Sequence, residues 1–529
     1  MILSLSIPCN FRYHRTGGAH LWFFYKQIQV FRDRLDDVLF VGYEGNYVLP
    51  SSLPEDAWEK DPEVCRVRGY AVPEDELVCK ARVRHVDPCL FAPLEEKFRS
   101  WNLVWKHLIQ HEYPPYKEFL LRIVGGLAEK PETMILTCND ATAEAVAASQ
   151  GIPVIHNEIG PTRTPDFIQT AYWDLHGVNG NTEAEARFLA WKEQGAAPRG
   201  PELSRRELLF LFAGDAYLDR LRRAPVKPDF PCGVAGQMED DSNLIAYSNG
   251  FDNLELLKFA KYHFGSGNVL FRPHPSGQSL FTSHVDLSGN SGLFLARIGH
   301  LLTINSSMAL EAALLDRPVT VFGGSPFRLL SGDLLGKRKT DPSAALNFLL
   351  LNYCIPFDWL FRSDYSRWRL SMPSEAEIRE RHLAYYLKLR GYSSLEAFRE
   401  FVRSVPPPES GAEKVLPPES VVSVTVSELP TLSGRLKREL AVYKEAYEFN
   451  RSDAQNYKEA YESAKTDAEN YKRAYESAHD DAVNYKHSYE YLTQEVRNYR
   501  EAYEYNERMH MEFKAKYEAL LAEIERKNG

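Results

Sequence analysis

Residues 297–323, RIGHLLTINSSMALEAALLDRPVTVFG, decide the fold. The apolar run HLLTI ends in Asn305, Ser306 and Ser307, a helix-forming segment MALEAALL follows, and RPVTVFG brings a second β-branched run. Strand, tight turn, helix and strand form a β-α-β unit. Repetition of that unit predicts a parallel sheet with ligands at the C-terminal ends of its strands. The two serines either cap the helix or hold an anion, because the first turn of a helix offers unpaired N–H groups and the positive end of the dipole. Glu311, four residues beyond Ser307 and on the same helical face, either stands in solvent or accepts from the two hydroxyls of a ribose. Together the pieces suit a nucleoside monophosphate.

Working outward, NVLFRPHP (268–275) predicts a buried strand ending at Arg272 and His274, with prolines fixing the backbone on both sides of the histidine. Either cationic side chain can meet a phosphate oxygen, or serve as an ordinary core or surface residue. RELLFLFAGD (206–215) is a continuous apolar run and predicts a strand covered on both faces. SEAEIRERHLAYYLKLRGY (374–392) has a helical pattern. Further upstream, ETMILTCND (132–140), ATAEAVAASQG (141–151) and IPVIHNE (152–158) repeat the strand–helix–strand order, with Asp140 as N-cap and Gly151 as C-cap. The fold class is therefore α/β, with two Rossmann-like domains, 1–203 and 204–404, and a cleft between them.

Two further segments place carboxylates near that cleft. GQMEDDSN (236–243) sets acids before a helical pattern, as an N-cap or as a nucleophile or base. HNEIGPTRTPDF (156–167) puts Glu158 at a strand's C-terminal end, as a general base or a structural hydrogen-bonding group. It is followed by the Gly-rich YWDLHGVNGN (172–181), and loops at that edge commonly line the site.

The totals narrow the function classes. The chain has 529 residues and a formal net charge of −10, which argues against a nucleic-acid protein, since these usually present a basic stripe. Seven scattered cysteines without a C-x-x-C pair fit reduced thiols better than a disulfide framework or a zinc site. The start, MILSLSIPCNFRYHR, lacks the order of a signal peptide. No run approaches the ~18 apolar residues of a membrane span. A cytoplasmic protein follows, peripheral at most to the inner face of a membrane.

Residues 405–430 are rich in Pro, Ser and Glu and read as a semi-rigid linker. Residues 431–529 then repeat NYKEAYESAKTDAE-like units at a period of 14. Tyr461, Ala468, Tyr475 and Ala482 fall on one heptad seam, and Asn450 and Asn506 are polar seam residues of the kind that fix register. The spacing predicts a left-handed coiled coil and hence a homo-oligomer, dimer or trimer.

Taken in order, HNEIGPTRTP…YWDLHGVNGN, GQMEDDSN, RPHP and INSSMALEAALLDRPVTVFG resemble the bacterial retaining β-Kdo transferases, over about residues 130–330. These enzymes build capsule lipid linkers or cap O-antigen chains of lipopolysaccharide. The resemblance implies a modified GT-B fold with the donor, CMP-β-Kdo, held mainly by the second domain, and no cofactor or metal. Carried over, Arg272, His274, Ser306 and Ser307 bind the CMP phosphate or the donor carboxylate, with Gln237 and Asn305 beside them, and Glu311 binds the ribose. The family's nucleophilic aspartate falls on Asp241, with Asp240 adjacent, and Glu158 acts near the acceptor hydroxyl. A lipid-linked polysaccharide acceptor and a polysaccharide polymerase are the implied partners. Two alternatives stand beside this reading: a CMP-sialic-acid or CDP-glycerol-type transferase, and a non-catalytic coiled-coil scaffold.

Overall fold

The computed structural model describes residues 1–8, 20–194, 199–222, 224, 227–275, 284–286, 288–332 and 342–405. All of them belong to one compact unit, Met1–Lys414. The expected linker past residue 405 and the coiled coil at 431–529 lie outside the described residues.

Two sheets organise this unit. The first contains β1 (Ile2–Leu5), β2 (Val38–Gly42), β3 (Arg82–His85), β4 (Thr133–Leu136), β5 (Val154–Ile159) and β6 (Thr170–Asp174). The second contains β7 (Cys232–Ala235), β8 (Val269–Arg272), β9 (Leu301–Thr303) and β10 (Val319–Val321), after which β11 (Ile355–Pro356) returns to the first. The strand orders are β11-β6-β5-β4-β1-β2-β3 and β10-β9-β7-β8. Two Rossmann-like halves of this kind make the GT-B arrangement. The second sheet is parallel throughout, whereas the first turns antiparallel at β6 and β11. The parallel expectation therefore holds for β1–β5 and fails at that edge.

Local chemistry explains the elements. Asp140 caps the helix Ala141–Gln150 by accepting the N–H groups of Thr142 and Ala143 at 3.0 and 2.9 Å. Gly151 ends that helix at φ 59°, in the left-handed region that glycine adopts without strain. The strand expected at 206–215 is instead the helix Arg205–Phe212. Ser204 and Glu207 form a reciprocal capping box there, and Leu208, Leu211 and Phe212 are buried at i, i+3, i+4 spacing. An unbroken apolar run thus wraps a helix whose other apolar residues are only partly covered.

Apart from the exposed edge strand β3, each sheet is buried on both faces. One face of the first sheet joins Phe24, Phe40, Ile155 and Trp173 to Ile355, Phe357, Phe361 and Tyr365. The expected second domain, 204–404, therefore gives a strand and several core side chains to the first lobe. The other face of the first sheet packs against the helices Trp101–Gln110, Pro114–Gly125 and Ala141–Gln150. One face of the second sheet carries Val234, Phe271 and Leu302 against Leu256 and Leu257 of the helix Asn253–Phe264. This layering leaves the C-terminal ends of both sets of parallel strands turned toward one cleft.

Candidate active site

A cavity of about 650 Å³ lies between those strand ends. Cys138 after β4, Glu158 at the end of β5 and Arg163 line it from the first lobe. Gln237, Met238 and Asp240 to Asn243 after β7, Arg272 to Pro275 at the end of β8, and Asn305 to Met308 after β9 line it from the second. The structure thus brings together Glu158, Gln237, Asp241, Arg272, His274, Asn305, Ser306 and Ser307.

Their hydrogen bonds divide these residues into two groups. Asp241 caps the helix Ser242–Tyr247, its Oδ1 accepting the Asn243 N–H at 2.7 Å, while its Oδ2 enters no hydrogen bond among the described residues. Capping and cavity lining therefore coexist in one carboxylate. The Glu158 Oε1 accepts the N–H of its neighbour Ile159 at 2.7 Å. Burial pushes the Glu158 carboxyl up to about 7, helped by the Asp241 charge and opposed by that N–H and by Arg163. Burial likewise holds the His274 imidazole below its usual range, against the attraction of Asp241. His274 is therefore mostly neutral at pH 7, able to donate one N–H but not to supply a full charge.

Other expected donor contacts are engaged by protein. Arg272 Nη1 meets the wholly buried Asp286 at 2.5 Å, and Arg297 approaches the second oxygen of that carboxylate at 3.7 Å. The Arg272 charge is matched before any ligand arrives. Asn305 accepts from Gln237 Nε2 at 2.7 Å and donates to the Asn243 carbonyl at 2.8 Å, so both ends of its amide brace the wall. Arg272, Asn305 and Gln237, expected beside the donor, thus line the cavity with part of their polar groups already held by protein. Ser306 accepts the Met308 N–H at 3.3 Å, whereas the Ser307 side chain makes no capping bond to the helix Met308–Leu314. Glu311 does not line the cavity itself; it stands behind Ser291, which does. Its Oε2 is buried without a hydrogen-bond partner, and burial raises its carboxyl to about 7.

The helix that begins at Asp241 is seated by the first lobe. Asn179, at φ 61°, donates to Ser242 Oγ at 3.0 Å, and Gln110 donates to the Ala246 carbonyl at 3.3 Å. Asn139 donates to the Tyr247 hydroxyl at 2.6 Å and to the Val178 carbonyl at 2.8 Å. Gly180 lies so close that a Cβ there would sit 2.4 Å from Tyr247 Cδ1. The segment YWDLHGVNGN thus reaches the site by positioning its helix, through glycines that permit contact too close for a side chain.

Four lining groups, Trp22, Trp58, Arg68 and Arg163, were not singled out from the sequence. The guanidinium carbon of Arg68 lies 4.8 Å from the ring centre of Trp22 and 5.8 Å from that of Trp58, and all three line the cavity. Trp22 sits in LWFFY, which reads as ordinary core and gives no signal of a site. Arg163 also lines the cavity, and the signal for it was available: it is the one cation in the HNEIGPTRTPDF loop.

Among the described residues one trio has metal-ligand spacing: Asp174, His176 and Glu183. The Asp174 carboxylate already accepts the N–H groups of His176, Gly177 and Glu183 and the Tyr353 hydroxyl. Glu183 pairs with Arg187 at 2.8 Å. The cluster is a structural tie outside the cavity, and its donors are occupied.

Residues 5–183 match the model of the Glycosyltransferase 99 family N-terminal domain. This match to an N-terminal domain supports a glycosyltransferase. No curated protein matches the chain. Among solved structures, Thermosulfurimonas dismutans KpsC, beta Kdo 2,7 transferase, is 20% identical with a TM-score of 0.34, over 45% of this chain and 81% of that one. The beta Kdo 2,4 transferase of the same KpsC is 15% identical with a TM-score of 0.29, over 41% and 79%. Methanocaldococcus jannaschii UDP-GlcNAc 2-epimerase is 12% identical with a TM-score of 0.23, over 61% and 83%. Likenesses at these scores carry no inference about donor or acceptor.

Proposed function

We propose that this glycosyltransferase moves Kdo from CMP-β-Kdo to the non-reducing end of a bacterial surface polysaccharide, with retention of configuration. The observation that supports the reading is the convergence of Glu158, from the first sheet, with Asp241, His274, Ser306 and Ser307, from the second, in one cavity. A glycosyltransferase needs a donor side and an acceptor side facing each other, and these residue types divide the chemistry between the two lobes.

In the first step an Asp241 oxygen attacks the anomeric carbon, and the bond from that carbon to the CMP phosphate breaks. Its electron pair leaves with CMP. The transition state is oxocarbenium-like, and an adjacent carboxylate stabilises it before bonding to it. The neutral His274 N–H and the Ser306 and Ser307 hydroxyls donate to the phosphate, where negative charge grows. Glu311, expected at the ribose, stands behind Ser291 and outside the cavity lining, so no contact with the donor is assigned to it. In the second step the acceptor hydroxyl attacks the same carbon from the opposite face, the carbon–Asp241 bond breaks, and Glu158 takes the hydroxyl proton. Two inversions give retention. A leaving group with a single phosphate needs no metal to neutralise a pyrophosphate, so no step is assigned to one.

The acceptor in this reading is lipid-linked and reached at the inner face of the inner membrane, with the repeats at 431–529 joining copies of the chain and docking a polymerase. Among the described residues no helix is long and apolar enough to cross a membrane. Intact-mass measurement after exposure to CMP-Kdo tests the chemistry. A covalent Kdo adduct is expected on the native protein and on Asp240→Ala, and is expected to vanish in Asp241→Ala. Release of CMP only from CMP-sialic acid, or from CDP-glycerol, would replace the donor.

A further inference from the structure

The cavity presents a charge problem that the second lobe does not solve. A cytidylate-linked sugar acid brings two anionic groups, the phosphate and the sugar carboxylate. Yet Arg272 is already paired with buried Asp286 at 2.5 Å. His274 is held mostly neutral by burial. Asp240 and Asp241 add negative charge to the same wall. Hydroxyls and one imidazole N–H can satisfy the phosphate, but the second carboxylate of the encounter, the ligand's own, still needs a cation.

Arg163 is placed to supply it. Its residue is exposed to the cavity it lines. Its guanidinium makes one hydrogen bond, a long one of 3.5 Å to the Gly160 carbonyl, and no ion pair among the described residues. Its charge acts on Glu158 in its own lobe and on His274 and Glu311 in the other, so it stands where both walls feel it. The neighbouring Asp166 is not its partner, because Asp166 pairs with Arg220 and accepts from Asn290 at 3.2 Å. The backbone beneath is firm: Thr162 Oγ1 donates to the Ile168 carbonyl at 2.7 Å and Phe167 N–H to the Arg163 carbonyl at 3.0 Å.

We propose that Arg163 binds the carboxylate of the donor sugar, so that the first lobe, and not the nucleotide-binding lobe, selects an acidic sugar. The planar guanidinium offers paired N–H groups that match a carboxylate. Set beside Glu158, it would fix the sugar with its anomeric carbon toward Asp241 while leaving CMP to the second lobe. Arg163 is thus a specificity-determining contact. The inference deepens the proposed function and rests on it for the identity of the donor.

Calorimetric binding of CMP and steady-state turnover of CMP-Kdo and CMP-sialic acid, on the full chain, separate the two claims. Native protein releasing CMP from either acidic donor satisfies the premise; native protein inert toward both overturns the premise and the inference together. Given a working donor, Arg163→Met is expected to lower kcat/KM by about 10- to 100-fold, the range for losing a charged hydrogen bond. Its CMP affinity should stay within about twofold of native, which also shows the variant is folded. Arg163→Lys, which keeps the charge and loses the paired geometry, should fall between. Equal losses for CMP and donor would make Arg163 a phosphate ligand and overturn the inference, and so would unchanged kcat/KM in Arg163→Met.

Discussion

The two walls of the cavity differ in how much of their polarity is already used. On the second-lobe wall Arg272 is paired with Asp286, and Asn305 is held by Gln237 and Asn243. On the first-lobe wall Arg163 keeps its guanidinium almost unengaged and Glu158 holds a half-buried carboxyl near neutrality. The first of these is a stiff template whose shape is fixed before ligand arrives. The second keeps its charge in reserve. A wall of satisfied groups recognises by fit, whereas a wall of reserved charges recognises by the sign of what binds.

That contrast can be broken by substitution. The largest effect is expected at Asp241→Ala, where turnover should fall by at least about 10⁴-fold, as for loss of a covalent nucleophile. Retained turnover there would remove the carboxylate from the chemistry. Glu158→Gln is expected to slow transfer by about 10²- to 10⁴-fold, the usual contribution of a general base. In that variant the adduct should still form and then persist. The same residue sets a pH dependence: raised to about 7, Glu158 is protonated below that pH and cannot take a proton. The kcat/KM of native protein should therefore fall as pH drops through about 7, and this limb should be missing from the residual activity of Glu158→Gln. Asp286→Asn tests the stiff wall. Removing one partner of a buried pair costs about 3–5 kcal/mol, so thermal stability should drop sharply while CMP affinity is kept or rises, since Arg272 regains its charge for the ligand. Gly180→Ala is smaller. The added methyl meets the Tyr247 ring at 2.4 Å and should cost about 1–3 kcal/mol in strain or movement of the helix that begins at Asp241. Slower adduct formation with unchanged CMP affinity would place the effect on positioning. The smallest effect expected is none: excess EDTA should leave turnover intact, and a loss restored by Mg²⁺ or Mn²⁺ would overturn the metal-free mechanism.

How far the sequence carries depends on the range of the interaction being read. Asp140 and Gly151 mark a helix because their caps lie within a turn of it. The sharing of one edge by His274 and Ser306 is legible for a related reason: β-α-β units place the C-terminal ends of β8 and β9 on the same side, whereas β7, the short CGVA run before Asp241, was not read as a strand. The helix at Arg205–Phe212 was misread as a strand because apolar continuity outweighed the Ser204–Glu207 box, which is local and was readable. What the sequence does not carry is which groups are used up by distant neighbours. Gln237 meets Asn305 and Arg272 meets Asp286 only after folding, and nothing in RPHP announces that its arginine is taken. The same holds for the antiparallel edge, since β11 is two residues long and carries no signal of its own.

That short strand bears on how the chain is made. β11 pairs with β6, and Phe357, Leu360, Phe361 and Tyr365 complete a core begun by Ile2 and Trp22, yet residues 175–354 must leave the ribosome between the two. Until then the N-terminal sheet waits with a bare edge and an uncovered apolar face, the state in which nascent polypeptides recruit chaperones or clump. A gene fragment encoding only the family-matched stretch, 5–183, would freeze synthesis at that moment and should yield inclusion bodies.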